Sequence, residues 1–385
     1  MESTQNFFCP RNNIFGFGSL KEISLHIANL GLKKGLVVTD SFWATSPHTK
    51  RLSDFMKQAG ASAIVWGHAQ PNPTDKNVSD GIEVYRKEGC DFVLSLGGGS
   101  AHDCAKAIGI MVNNPGTIHA YEGVDKVKKP LPPLLAINTT AGTAAEMTRF
   151  CIITDTGRKV KMAIVDPNVT PLVSINDPEL MLSMPKGLTA ASGMDALTHA
   201  VEAYVSTSAN PLTDTQAKAA IDIIFKHLAE ATHNPNNREA REKMAYAQYM
   251  AGMAFNNAGL GYVHAMAHQL GGYYDLPHGV CNAILLPVVQ KFNLKKAAPR
   301  LAEIARFLSL GKDTDSPELL AEMLIKKIEE LSGKVEIPKG LKSFKIDPKD
   351  FKIMAENAMK DPCGFTNPVQ PTLAEVIKMF EVANI

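Results

Sequence analysis

Short apolar runs alternate with amphipathic stretches through the first half of the chain. Runs rich in Val, Leu, Ile and Phe predict buried strands, and the stretches between them, with apolar residues at helical spacing, predict helices. Continuous apolar strands separated by helices indicate a parallel sheet that is covered on both faces. The predicted strands are 36–40, 63–66, 92–96, 134–137 and 173–175, and the predicted helices are 49–59 and 78–88.

Two further apolar runs lie close together in the sequence. Residues 151–154 and 161–165 flank a polar segment that contains Asp155, Gly157 and Arg158. Two strand-like runs joined by a short polar turn are typical of a β-hairpin. We therefore predict that this pair of strands is antiparallel.

The hydrophobic pattern changes near residue 185. Beyond it the apolar positions recur at helical spacing, with abundant Ala, Met and Leu, and no further strand is predicted. We expect an α/β domain over residues 1–184 and an all-helical domain over 185–385. The predicted helices of the second domain are 189–205, 212–229, 239–257, 299–308, 317–331 and 373–382.

Bulk composition narrows the class of protein. A chain of 385 residues exceeds what one hydrophobic core usually serves, which agrees with two domains. The net charge of +1, without a basic block or tail, argues against nucleic acid as a partner. No apolar run reaches the ~18–20 residues that span a bilayer, so no membrane association is expected. Six scattered cysteines without a CxxC pair or a signal pattern favour reduced thiols in a cytoplasmic protein.

A glycine-rich turn follows the third predicted strand. Gly97, Gly98, Gly99 and Ser100 lead into a predicted helix, where a flexible backbone admits a ligand closely and unpaired N–H groups attract an anion. A bound pyrophosphate is one interpretation, and a tight turn that caps only itself is the other. Ser100 and Asp103 have the spacing of a capping box. The turn differs from the G-x-G-x-x-G fingerprint, so that motif cannot decide between the two interpretations.

Two more segments capable of binding a ligand follow strands at the same predicted sheet edge. Asp40 ends the first strand, where a carboxylate accepts hydrogen bonds from a ribose and repels a 2′-phosphate. Residues 138–143 follow another strand and supply the hydroxyls of Thr139, Thr140 and Thr143. Each segment alone is also explained as an ordinary turn, with Asp40 as a helix N-cap. Three such segments at one edge favour a nucleotide site.

Histidines and one carboxylate recur at helical spacing in the second domain. Asp195 and His199 are four residues apart, as are His264 and His268, so each pair lies on one helix face; His278 follows in a loop-like segment. A single apolar-helix histidine is more often a satisfied core residue than a ligand. Burying several imidazoles and a carboxylate without partners is costly, and a shared divalent cation removes that cost. Fe, Zn, Mn and Ni all suit this set, and the absence of clustered thiolates favours a catalytic over a structural site.

Four longer stretches carry a family resemblance over essentially the whole chain. They are GGGSAHDCAKAI at 97–108, NTTAGTAAEMTRFCIITD at 138–155, GMDALTHAVEAY at 193–204, and the segment 244–287, which contains HAMAHQLGGYYDLPHG. The sequence resembles the iron-dependent (group III) alcohol dehydrogenases, and within them the iron-activated bacterial and yeast alcohol dehydrogenases and the 1,3-propanediol and methanol dehydrogenases. The resemblance implies a Rossmann-like N-terminal domain with a parallel sheet, an all-α C-terminal domain and a cleft between them.

The resemblance also implies roles for individual residues. The metal ligands would be Asp195, His199, His264 and His278, with His268 close by as a residue for proton transfer or substrate contact. The cofactor would be bound by Asp40, Gly97, Gly98, Gly99, Ser100, Thr139, Thr140, Thr143 and Lys161. Candidates for the substrate pocket are Phe150, Phe255 and Cys363.

The expected protein is an NAD-dependent alcohol dehydrogenase, containing Fe²⁺ or else Zn²⁺ or another divalent ion. It would interconvert small primary alcohols or diols and aldehydes, and the resemblance implies a homo-oligomer, a dimer or larger. Alternatives are a related-scaffold enzyme, such as a glycerol dehydrogenase or a dehydroquinate-synthase-like lyase, and a nucleotide sensor without turnover. Val288 and Pro362 depart from the family pattern, which leaves the substrate preference open.

Overall fold

The computed structural model describes residues 6–385. The chain divides into two compact units, Met1–Ser183 and Met184–Ile385. None of the described helices is long and apolar enough to cross a membrane.

The described part of the N-terminal unit contains nine strands: β1 (Asn12–Phe15), β2 (Lys34–Val38), β3 (Ser62–Trp66), β4 (Phe92–Gly97), β5 (Gly123–Val124), β6 (Leu134–Asn138), β7 (Phe150–Asp155), β8 (Val160–Val165) and β9 (Val173–Asn176). Six of them form a sheet in the order β1-β9-β6-β4-β2-β3, and every pairing in it is parallel. The predicted hairpin is confirmed, because β7 and β8 pair antiparallel, and together with β5 they form a separate three-stranded sheet.

The helices of this unit are α1 (Ile23–Asn29), α2 (Ser41–Ala44), α3 (Pro47–Gln58), α4 (Asp75–Glu88), α5 (Gly99–Asn113) and α6 (Pro178–Met181). Side chains alternate between two hydrophobic clusters along the central strands. Phe92 and Leu94 of β4 belong to one cluster and Val93 between them to the other. The main sheet is therefore buried on both faces, as the continuous apolar runs predict.

The strand order reverses beside β2. This strand pairs with β3 on one side and with β4 on the other, so the chain crosses back over β2 between β3 and β4. In open α/β sheets ligands bind outside the carboxyl ends of the strands at such a reversal. The register places Val38 beside Ser95, and Gly97 beside Asn138, so the segments that follow β2, β4 and β6 leave the sheet at one edge.

The C-terminal unit is mostly helical: α7 (Lys186–Val205), α8 (Pro211–His233), α9 (Arg238–Ala258), α10 (Tyr262–Tyr274), α11 (His278–Phe307), α12 (Pro317–Lys334), α13 (Phe351–Ala358) and α14 (Leu373–Ala383). Short 3₁₀ helices cover Ser19–Glu22, Ile118–Tyr121, Pro167–Val169, Leu341–Phe344, Pro348–Asp350 and Pro362–Thr366. From Thr189 to Val205 every residue of α7 is buried, which explains why its sequence is Ala-rich all round rather than amphipathic.

Two features of the fold differ from the prediction. The predicted helix 299–308 is the end of a single 30-residue helix, α11, which contains Pro287 and Pro299. Proline normally interrupts a helix. The sequence therefore predicted that a new helix begins at Pro299, whereas α11 continues through this residue. Strand β1 was missed because Asn12 and Asn13 are polar and exposed at the sheet edge.

Candidate metal centre and nucleotide site

One face of α7 carries two of the predicted ligands. Asp195 and His199 lie one helical turn apart and are nearly fully buried. His264 comes from the first turn of α10, and His278 is the first residue of α11. The prediction that His278 lies in a loop is therefore wrong: Pro277 serves as the N-cap and the helix starts at the histidine itself. Three helices thus bring the four side chains together.

The distances between these side chains suit one metal ion. Asp195 Oδ1 lies 3.7 Å from His264 Nε2, 3.7 Å from His278 Nε2 and 4.0 Å from His199 Nε2. Donor atoms bound about 2.0–2.3 Å from a tetrahedral ion are about 3.3–3.8 Å apart. Three imidazoles and one carboxylate form a donor set that suits a divalent transition metal. Donor atoms of Asp195, His199 and His264 all lie within 4.8 Å of one another, so these three residues fit the metal that the sequence predicts, and His278 reaches Asp195 from α11.

The charges of the four side chains also favour a bound cation. Burial opposes ionisation of Asp195, but His199, His278 and His264 hold the pKa of its carboxyl well below its usual range. Burial alone would lower the pKa of His264, yet Glu202 and Asp195 raise it to about 9. The protein therefore stabilises positive charge beside Asp195, and a bound metal ion would replace protons there.

Neighbouring rings hold the predicted ligand His199, and an amide contacts the other three predicted ligands. The His199 ring stacks between Phe255, with centroids 4.2 Å apart, and His264, with centroids 4.5 Å apart. Asn282, one turn after His278 on α11, donates from Nδ2 to Asp195 Oδ1 at 2.6 Å. The same Nδ2 lies 3.1 Å from Nε2 of both His264 and His278. The amide nitrogen thus lies among the donor atoms that would bind the ion, and it would have to move aside for the ion.

His268 lies beside the ligand group, one turn after His264 on α10. Its ring stacks on that of His278, with centroids 5.4 Å apart, and its Nδ1 lies 2.8 Å from Asp361 Oδ2. Because Nδ1 donates to this carboxylate, Nε2 is the ring atom available to accept a hydrogen bond.

The departure at Pro362 does not disturb this arrangement. Pro362 is the first residue of a 3₁₀ helix that Asp361 caps, and the missing N–H of proline has no partner to lose at that position. Asp361 Oδ1 accepts from the backbone N–H of Cys363. Burial raises the pKa of the Cys363 thiol well above its usual range, and the negative charge of the nearby Asp361 adds a smaller effect in the same direction. An uncharged buried thiol is a poor metal ligand and a poor nucleophile.

The glycine turn and the threonine segment of the predicted nucleotide site meet at the carboxyl edge of the main sheet. A Cβ atom placed on Gly98 would lie 2.8 Å from Thr140 Cγ2, and one on Gly99 would lie 2.9 Å from the Thr143 side chain. The backbone of the glycine turn therefore packs directly against the threonine segment. Thr139 donates its N–H to the carbonyl of Gly97.

Helix α5 begins differently from the prediction. Gly98 is its N-cap and Ser100 lies inside the first turn, so the predicted capping box of Ser100 and Asp103 is wrong. Asp103 is half-buried, and its removal from water raises the pKa of its carboxyl to about 6. Among the residues that the structure describes, no side chain caps this helix, which leaves its first N–H groups pointing out of the glycine turn.

The remaining predicted residues are spread over both units. Asp40 caps α2 by accepting from the Trp43 N–H at 2.9 Å, as the alternative interpretation of that residue expected. Phe150 begins β7, and its carbonyl accepts from the buried Lys106 Nζ at 2.6 Å. Lys161 lies on β8, half-buried, opposite Thr154. Phe255 and Cys363 lie in the C-terminal unit and are both buried.

Three polar residues at the metal centre were missed from the sequence. Glu202 lies seven residues after Asp195, so its helical spacing could have revealed it. Asn282 lies four residues after His278, a signal hidden by the expectation of a loop. Asp361 reaches His268 from a distant part of the chain, and no spacing could have indicated that contact.

Comparison with known proteins extends these observations. Residues 10–178 match the family model described as "Iron-containing alcohol dehydrogenase", and residues 189–384 match "Fe-containing alcohol dehydrogenase family, C-terminal". The chain is 50% identical to "Alcohol dehydrogenase 4" of Schizosaccharomyces pombe over 98% of this chain and 88% of that protein. It is 43% identical to the "NAD-dependent methanol dehydrogenase" of Bacillus methanolicus, covering 98% and 99% of the two chains. A crystal structure of 1,3-propanediol oxidoreductase superposes with a TM-score of 0.96 at 45% identity, covering 99% and 100%.

These matches agree with the open parallel sheet and with the helical unit that carries nitrogen and oxygen donors. Together they define the class of the protein as an oxidoreductase that acts on alcohols. More particularly, the chain belongs to the iron-containing alcohol dehydrogenase family.

Proposed function

We propose that this chain is an NAD- and metal-dependent dehydrogenase that interconverts small primary alcohols or diols with aldehydes. The observation that carries the proposal is the set of three imidazole nitrogens within 4.0 Å of Asp195 Oδ1. In this proposal residues 1–184 form the dinucleotide-binding domain and 185–385 the metal-binding domain. The relatives named for methanol and 1,3-propanediol support a small substrate.

Asp195, His199, His264 and His278 would hold the metal ion. Iron is the metal in the family's name, and the donor set admits zinc as well. When bound, the ion supplies Lewis-acid polarisation of the substrate oxygen, and the nicotinamide accepts or returns hydride. The part of the protein is to fix the donor atoms, as the Phe255 ring does for His199.

The cofactor would lie along the carboxyl edge of the main sheet. The uncapped start of α5, reached over Gly97, Gly98, Gly99 and Ser100, would bind the pyrophosphate, because free N–H groups and the helix dipole favour anions. Asp40 would accept hydrogen bonds from the adenosine ribose. The other contacts would come from Thr139, Thr140, Thr143 and, at the nicotinamide ribose, Lys161.

Replacing Asp40 by serine is expected to raise the NADP-to-NAD ratio of kcat/KM at least about tenfold, which corresponds to about 1.4 kcal/mol. Serine still caps α2, but it removes the charge that repels a 2′-phosphate. Steady-state kinetics with both nicotinamides measure the ratio. Asp347→Ser makes the same change at an exposed helix cap and is the control. A wild-type preference for NADP would contradict the proposed role of Asp40.

His268 would contact the substrate hydroxyl through Nε2 and act in proton transfer, while Phe150, Phe255 and Cys363 are proposed for the substrate pocket. His268→Asn keeps a donor for Asp361 and removes Nε2. We expect kcat to fall about 10²–10⁴-fold, the range for loss of a general acid or base, with metal content unchanged. Pre-steady-state and steady-state rates, with the metal measured in the same samples, test this. An unchanged kcat would remove His268 from the mechanism.

The decisive test of the function is a purified preparation of known metal content, assayed against a panel of alcohols and aldehydes with both nicotinamides. NADH formation from a small primary alcohol, lost on chelation and restored by Fe²⁺ or Zn²⁺, is the expected result. Turnover of glycerol alone, or turnover without net NADH, would favour a glycerol dehydrogenase or a dehydroquinate-synthase-like lyase.

We further propose a cytoplasmic homo-oligomer, a dimer or larger. The free and mostly buried cysteines support a reducing compartment. Analytical ultracentrifugation of the purified protein tests the oligomeric state, and a sedimentation coefficient of a monomer would contradict it.

A further inference from the structure

Glu202 lies on the same face of α7 as the proposed ligands Asp195 and His199. Glu202 follows Asp195 by seven residues and His199 by three, which places all three on one face of the helix. Its side chain is 1% exposed. A carboxylate buried to this extent is costly unless hydrogen bonds satisfy it, so its partners indicate what it does.

Each oxygen of this carboxylate has a partner at the start of α10. Oε1 accepts from the backbone N–H of Val263 at 2.8 Å, and Oε2 lies 2.5 Å from His264 Nδ1. The carboxylate therefore caps the first turn of α10 and holds the ring of the histidine next in sequence. Gly261 leaves the space for it, since a Cβ atom there would lie 2.6 Å from Glu202 Oε1.

The hydrogen bond decides which ring nitrogen of His264 faces Asp195. With the proton of Nδ1 donated to Glu202, Nε2 is the nitrogen that faces Asp195 Oδ1, 3.7 Å away, and it is the atom that would bind the ion. Metal-bound histidines commonly donate their second N–H to a carboxylate in this way, which sets the tautomer and strengthens the ligand.

We propose that Glu202 is a positioning residue of the metal centre: it locks His264 in the tautomer and orientation that bind the ion through Nε2. The inference rests on the ligand set of the proposed function. Through Glu202, α7 determines three of the four ligands, two directly and His264 by this contact.

A glutamine at position 202 could not perform both tasks. Its amide has one accepting oxygen, whereas the carboxylate accepts from two donors, Val263 N–H and His264 Nδ1. An amide NH₂ facing Nδ1 would force the proton to Nε2, where it blocks the metal. An amide NH₂ facing Val263 would leave α10 without its cap.

Glu202→Gln is therefore expected to weaken Zn²⁺ binding about 10–100-fold, the usual cost of losing such a partner. Affinity is measured on metal-stripped protein by competition with a chromophoric chelator. Glu375→Gln is the matched control, because it makes the same carboxylate-to-amide change at a side chain that accepts from the backbone N–H of Thr372 and from no proposed ligand. Its Zn²⁺ affinity should stay close to that of the wild type.

His264→Ala separates this inference from the proposed function. Equal Zn²⁺ binding by wild type and His264→Ala would overturn the ligand set itself. Loss of binding in His264→Ala together with wild-type affinity in Glu202→Gln would overturn the role of Glu202 alone. A loss of affinity in Glu375→Gln as large as that in Glu202→Gln would also overturn it, because the effect would not depend on contact with a ligand.

A spectroscopic measurement covers the case in which Glu202→Gln does not fold. In the Zn²⁺-loaded wild type, the His264 Nδ1 proton should give a low-field, slowly exchanging imidazole resonance in ¹H–¹⁵N spectra, because it is buried and bonded to a carboxylate. The resonance is assigned by its absence from His264→Ala. A wild-type spectrum in which His264 carries no Nδ1 proton would contradict the proposal without any variant at position 202.

Discussion

Replacing His264 by alanine is expected to abolish both metal binding and turnover. The change removes one of three imidazoles around Asp195 and takes away the partner of Oε2 of the buried Glu202 carboxylate. Metal-assisted polarisation contributes several kcal/mol to a transition state, so kcat/KM should fall about 10³-fold or more. Metal content by atomic emission and NADH formation by absorbance measure the two losses on one sample.

The control for His264→Ala is the replacement of another histidine of the C-terminal unit. His227→Ala changes a half-buried histidine on α8 and should keep wild-type metal content and activity. Thermal unfolding of all samples shows whether each variant remains folded. Activity or metal content in His264→Ala near the wild-type level would refute the proposed metal site.

The second large effect is expected at the glycine turn. Gly98→Val should raise the KM for NAD about 100-fold or more, equivalent to about 2.7 kcal/mol of binding, without changing metal content. Any side chain at this position meets Thr140, because its Cβ would lie 2.8 Å from Thr140 Cγ2. Valine adds two methyl groups that push the threonine segment outward and cover the first N–H groups of α5.

Gly187→Val is the matched control for this substitution. Gly187 is exposed in the first turn of α7, and a Cβ there meets nothing within 4 Å. Fluorescence titration with NADH distinguishes weaker binding from slower chemistry. If Gly98→Val bound NADH as the wild type does, the turn would only connect β4 to α5 and would not cradle a phosphate.

The sequence predicted best those elements that a local hydrophobic pattern is sufficient to identify. Strands β2, β4 and β6 are buried on both faces, so their apolar runs predicted them directly. The exposed edge strand β1 lacks such a run. The N-terminus of α11 was missed because Pro277 precedes His278, and proline was interpreted as a sign of a loop although it also favours the start of a helix.

The candidate site shows the same limit. Pairs four residues apart on one helix, such as Asp195 and His199, were visible in the sequence, whereas the contacts between helices were not. Asp361 reaches His268 across 93 residues of sequence, and Asn282 reaches Asp195 across 87. Such contacts depend on how α7, α10 and α11 pack, which spacing along the chain does not specify.

The distribution of the proposed ligands over α7, α10 and α11 would have a consequence for the stability and abundance of the protein in a cell. An ion held by side chains from three helices acts as a cross-link, and its binding energy adds to the stability of the folded helical unit by mass action. A molecule deprived of metal loses that contribution together with its catalytic function, and it opens more often to proteases. Metal supply would then govern the abundance of the enzyme as well as its activity.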